Sequence, residues 1–157
     1  MTVLRPKMYR FALSLTRRTD QAEDIVQDVA LKLWERRREL DAVRSLEGYA
    51  MNAVRNSCLD YARSPHNRTD ELPADFDTTH GQTPHDALEQ TDMVDFVRRF
   101  IDRLPQQQQM VIRLRDIEGY ELDEIAAILE INDNAVRTNL SRARQKIRDE
   151  LLKLDVV

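Results

Sequence analysis

Between Ser64 and Asp92 the chain loses the three- and four-residue recurrence of apolar side chains that runs through the rest of it, and this break limits what it can fold into. The stretch SPHNRTDELPADFDTTHGQTPHDALEQTD holds three prolines, one glycine and seven carboxylates. Proline ends helices, carboxylates repel one another, and too few apolar groups remain to offset the entropy of ordering, so the stretch reads as an acidic linker. Its few apolar residues, such as Leu72 and Phe76, could dock on a partner surface. A length of 157 residues suits one domain or two; the break selects two small ones, 1–63 and 93–157.

Both flanks read as helix. Three glycines and five prolines in the whole chain, with abundant Leu, Ala, Arg, Glu and Asp, favour helix over strand, and the expected fold class is all-α. In the first half, Ala22, Ile25, Val26, Val29, Ala30, Leu33 and Trp34 recur as one apolar stripe, opposite a polar face. Asp20, followed three residues later by Glu23, predicts a capping-box start for that helix. After a polar stretch from Arg36 to Ser45, a second helix fits Leu46 to Arg63, with Tyr49, Ala53, Val54, Cys58, Leu59 and Ala62 available for packing. The second half predicts four helices. An amphipathic one opens at Met93 and stops at Leu104-Pro105; Pro105 then sits at the first position of a helix running through Ile117 until Gly119 ends it. Two more cover Leu122 to Leu129 and Asp133 to Leu152.

Several function classes are disfavoured. No run approaches the roughly 18 apolar residues of a membrane-spanning helix, and the start, Met1-Thr2-Val3-Leu4-Arg5-Pro6, lacks the apolar centre of a secretory signal, so no membrane insertion and a cytoplasmic location are expected. The Asn67-Arg68-Thr69 glycosylation match is then irrelevant. One cysteine, Cys58, allows no internal disulfide and is expected to be a small buried apolar residue. His66, His80 and His85 all fall in the linker without helical spacing, so no metal site is expected. With no phosphate-binding glycine loop and no nucleophile beside a base, neither a cofactor nor an enzymatic activity is expected.

The last two helices carry the functional signal. Leu122-Asp123-Glu124-Ile125-Ala126-Ala127-Ile128-Leu129, a turn of three residues Glu130-Ile131-Asn132, and Asp133-Asn134-Ala135-Val136-Arg137 have helix-turn-helix spacing. Ala126 is small where crossing helices come closest; Ile125, Leu129, Ile131, Val136 and Leu140 would fill the wedge, and Asn132 would cap the second helix. The net charge of −4 hides an uneven distribution: +3 over 1–63, −6 over 64–92 and −1 over 93–157. Within the last, AVRTNLSRARQKIR, residues 135–148, has five basic side chains and no acidic one. A helix of this kind would set its first turns in the major groove, with Asn134, Arg137, Thr138 and Ser141 reaching base edges and Arg142 and Arg144 reaching phosphates. The bland alternative is a solvated basic face on a helical hairpin.

These residues resemble the extracytoplasmic-function sigma factors, the smallest members of the sigma-70 family. Leu104-Pro105, Val111-Ile112-Arg113-Leu114-Arg115-Asp116, Glu118-Gly119-Tyr120, Glu124-Ile125-Ala126, Ile128-Leu129 and Val136 through Arg144 resemble region 4. Ala22 through Asp28, Leu31-Lys32-Leu33-Trp34, Arg55-Asn56, Asp60 and Arg63 resemble region 2.

The resemblance implies a division of labour. Asp24, Gln27, Asp28, Lys32 and Trp34 would dock on core RNA polymerase, although Trp34 equally fits a core position. Arg44, Tyr49, Asn52, Arg55 and Asn56 would open and read the −10 promoter element, where a flipped base needs stacking surfaces and cations; Tyr49 equally fits a core. The second domain would bind the −35 element, its first helices touching the polymerase flap. An anti-sigma factor is an implied partner, and the linker is a candidate regulatory surface.

Three departures from the family pattern carry expectations. Glu130 stands where glycine is usual in the turn, at a cost on the order of 1 kcal/mol if that backbone is left-handed. The short amino terminus predicts an incomplete, poorly packed first helix. Asn139 replaces a frequent basic residue of the recognition helix. Two other readings compete: a helix-turn-helix transcriptional regulator that does not bind core polymerase, and a protein-interaction scaffold that would leave the basic helix unused.

Overall fold

The computed structural model describes residues 4–40, 46–63 and 88–155, with side chains in the last span from Asp92. Arg44, Leu72, Phe76 and the three histidines lie outside the described residues. Among the described residues every regular element is helical, and they form two compact units, one built mainly from the helices before residue 64 and the other from those after residue 87.

The first unit comprises α1 (Leu4–Thr16), α2 (Thr19–Glu35), α3 (Arg37–Leu40) and α4 (Leu46–Arg63). Leu4, Met8, Phe11 and Ala12 give α1 a complete apolar stripe, which packs on both α2 and α4. Met8 and Ala12 are wholly enclosed, so the expectation of a poorly packed first helix is overturned. From α2 come Ala22, Ile25, Val26, Val29 and Leu33, the stripe read from spacing without Ala30 and Trp34. From α4 come Ala50, Met51, Val54 and Cys58. Each large aliphatic group so removed from water contributes roughly 1.5–3 kcal/mol. Burial pushes the Cys58 thiol up to about 12, which keeps it neutral and inert.

The core-facing side of α4 differs from the expected one by about one residue: Tyr49 and Ala62 are exposed and Ala53 and Leu59 half-buried, because α1 and α2 meet α4 on the row 50, 51, 54 and 58. The start of α2 also differs. Arg18 occupies the N-cap without a side-chain cap bond, and Asp20 falls in the first turn, accepting from the Gln21 N–H at 2.8 Å and facing Arg18 at 3.5 Å. The corner is made one step earlier by Arg17, left-handed at φ 60°, whose N–H donates to Leu13 O at 2.8 Å. With the helix starting before Asp20, no capping box forms there.

After residue 87 the elements are α5 (Leu88–Asp102), α6 (Gln106–Ile112), a π-helical turn (Arg113–Ile117), α7 (Leu122–Leu129) and α8 (Asp133–Asp155). Helix α5 begins at Leu88, inside the segment read as linker. Pro105 is the N-cap of α6 rather than its first residue, and its carbonyl accepts from the Gln109 N–H at 2.9 Å. The continuous helix expected from Gln106 to Ile117 widens into the π turn, marked by the Glu118 N–H donating to Arg113 O at 2.9 Å. Gly119 then closes it with φ 83°, a backbone that glycine adopts without strain.

Candidate nucleic-acid interface

Side-chain caps start both α7 and α8, and the second cap closes the three-residue turn between them. Glu121 N–H donates to the Glu124 carboxylate at 2.8 Å, starting α7, and the Asn132 side-chain oxygen accepts from the Ala135 N–H at 2.7 Å, capping α8 as its sequence predicted. Ile125, Leu129, Val136 and Leu140 are buried, while Ile131 is only half-buried and Ala126 likewise. Glu130 does carry the left-handed backbone, φ 59°.

On this frame α8 turns one row inward and another out. Val136, Leu140 and Ala143 are buried; Asn134, Arg137, Thr138, Ser141 and Arg142 are exposed. Among the described residues nothing hydrogen-bonds or ion-pairs with Arg137 or Arg142, so both guanidinium groups remain available to an anion. Arg144, expected to reach a phosphate, is engaged within the chain. Its Nε and Nη2 donate to the two Asp116 carboxylate oxygens at 3.1 and 2.6 Å, a fork that holds its pKa above the ordinary arginine value. Asn139 points inward too, donating to Gln107 Oε1 at 3.1 Å and to Ala135 O at 2.8 Å, so its departure from a basic residue removes no outward charge. No short-range sequence signal marks Asp116 or Gln107 as partners of this helix.

In the first unit, Tyr49, Asn52 and Asn56 lie along one row of α4 with Arg55 beside them. Tyr49 is 39% exposed, which removes it from the core and leaves its ring accessible. Asn56 Nδ2 donates to Asn52 Oδ1 and Arg55 Nη1 to Asn56 Oδ1, each at 3.1 Å, so this edge is pre-ordered.

On α2, Asp24, Gln27, Asp28, Lys32 and Trp34 are all exposed on the side away from the core stripe. Trp34 is 62% exposed, against the core alternative, and the Arg37 guanidinium stacks 3.9 Å from its ring centroid. Leu31, 56% exposed on the same face, was missed as a site residue although its position off the 22-25-26-29-33 stripe was visible. A further surface lies within the second unit: an apolar groove of about 640 Å³ lined by Met93, Val94, Val97, Ile117, Ile147 and Leu152, among others.

Comparison with known proteins matches both units to one family. Sigma-70 region 2 matches residues 2–69 and Sigma-70, region 4 matches residues 97–147. The chain is 29% identical over 154 residues to the ECF RNA polymerase sigma factor SigE of Mycolicibacterium smegmatis, covering 94% of this chain and 58% of that protein. It is 29% identical over 147 residues to the probable RNA polymerase sigma factor RfaY of Xanthomonas campestris, covering 90% of this chain and 37% of that one. It thus spans under two thirds of the length of these relatives. The sigma factor RpoE of Bartonella quintana, solved in complex with the anti-sigma factor NepR, shares the fold with a TM-score of 0.73 at 24% identity, over 98% of this chain and 94% of that one. With region 2 and region 4 matched in order along one chain whose described elements are helical, this protein belongs to the sigma-70 family, in its extracytoplasmic-function group.

Proposed function

We infer that the chain binds core bacterial RNA polymerase and directs it to promoters, with residues 1–63 recognising and melting the −10 element, 64–92 acting as an acidic linker, and 93–157 recognising the −35 element. The observation that carries this reading is the outward row of α8, where Asn134, Arg137, Thr138, Ser141 and Arg142 stand exposed behind a capped turn, with no partner for Arg137 or Arg142 among the described residues. Asn134, Arg137, Thr138 and Ser141 address base edges, and Arg142 a phosphate. Tyr49 offers a stacking face for an extruded base, with Asn52, Arg55 and Asn56 beside it and Arg44 contributing charge. Asp24, Gln27, Asp28, Lys32 and Trp34 grip the largest polymerase subunit, and Leu31 adds apolar area at the centre of that patch. The groove of the second unit is the dock for the polymerase flap.

The role is regulatory rather than catalytic, its site is the cytoplasm, and an anti-sigma factor is its expected antagonist. Among the described residues no helix is long and apolar enough to cross a membrane, and no three metal-ligating side chains converge. Transcription in vitro tests the reading. Core polymerase with the full chain should start RNA synthesis from a subset of a promoter library that core alone ignores. Failure of the chain to be retained by core polymerase, with duplex DNA still bound, would favour a regulator and sink the sigma reading.

A further inference from the structure

We propose that Arg144 and Asp116 form a positioning pair that fixes the roll of α8, so that Arg144 acts on promoter recognition through the helix and not by touching DNA. The proposal rests on the reading of α8 as the helix that enters the groove. Its buried row, Val136, Leu140 and Ala143, is apolar and sets which face of the helix is down, leaving directional bonds at its flanks to fix the roll more finely. Directional bonds flank that row on both sides. At about 100° of turn per residue, Asn139 and Lys146 lie on one flank, bonded to Gln107 Oε1 and Gln108 Oε1, both at 3.1 Å. Arg144 lies on the other, forked onto Asp116.

Asp116 reaches this place because it belongs to the π turn. The turn takes up an extra residue, so every side chain after it is rotated from where a continued α-helix would put it. All three ties are polar and lie roughly 60–80° to either side of the buried row, between it and the outward face, with Arg144 two turns along the same row as Arg137. Fixing the roll therefore fixes which side chains meet the base edges.

The salt dependence of binding separates a positioning pair from a phosphate contact. The probe is a duplex enriched from a random pool by core polymerase saturated with the wild-type full chain, and affinity is measured across potassium chloride concentrations. Arg142→Gln, which removes a phosphate contact, should lower the log–log salt slope by about 0.9. Arg144→Gln and Asp116→Asn should each weaken binding by up to about fivefold, the scale of one exposed ion pair, with the slope unchanged. The exchange Arg144→Asp with Asp116→Arg should return affinity to within about twofold of wild type.

A slope reduced by Arg144→Gln as much as by Arg142→Gln overturns the proposal, as does full affinity in Asp116→Asn. Failure of the wild-type assembly to enrich any sequence overturns the promoter-binding reading itself. Thermal unfolding of each variant separates loss of fold from loss of placement, because the pair is half-exposed, with side-chain exposures of 47% and 38%.

Discussion

Two neighbouring residues in the α7–α8 turn pull stability in opposite directions. Glu130 holds φ at 59°, where its Cβ crowds the following carbonyl, while Asn132 satisfies a backbone N–H that the start of α8 leaves open. Glu130→Gly should raise, and Asn132→Ala lower, the stability of the fold around this turn, each by about 1 kcal/mol. Urea midpoints read both, and a less stable Glu130→Gly would show that this side chain does more than tolerate the turn. Glycine is the ordinary answer at such a position, so the strain was legible as a departure from the family pattern. Its realisation needed only the local backbone.

Helices α2 and α8 each bury one row and present another, but they present different chemistry. Exposed Leu31 and Trp34 give α2 an apolar centre ringed by Asp24, Gln27, Asp28 and Lys32, which is the composition of a protein interface rather than of a DNA one. Leu31→Ala with Trp34→Ala should weaken binding to core polymerase by more than about thirtyfold, the scale of a buried aromatic anchor, and leave the melting temperature nearly unchanged. Fluorescence titration with core measures the first and calorimetry the second; a large fall in melting temperature would return Trp34 to the core. Spacing alone had put Trp34 in the apolar stripe. Packing left it 62% exposed, which spacing could not decide.

Across the molecule, the proposed function puts the two units on successive steps of one process, so damage to each should appear in a different measurement. Arg137→Ala should lower promoter affinity with little change in the rate of strand opening. Tyr49→Ala should slow opening on the order of tenfold, the scale of one base–aromatic stack, with initial binding preserved. Fluorescence from a base analogue in the −10 element, recorded over a range of enzyme concentrations, separates the two. Equal effects of both substitutions on affinity alone would refute the division of labour.

What the amino-acid sequence determined is what acts within one or two helical turns: all-helical elements, the bounds of α4 and α7, the Asn132 cap, the three-residue turn, and a buried row on α8. Period, capping and turn chemistry are local, so they survive without knowledge of the partner helix. What only the tertiary structure decided is which polar side chain meets which across the fold. Arg144 finds Asp116 28 residues away and Asn139 finds Gln107 32 residues away. Those meetings depend on the π turn and on the packing of α6 against α8, neither of which leaves a mark in local spacing. An arginine-rich helix therefore announces a basic face, but the neighbouring helices choose which of its arginines remain free.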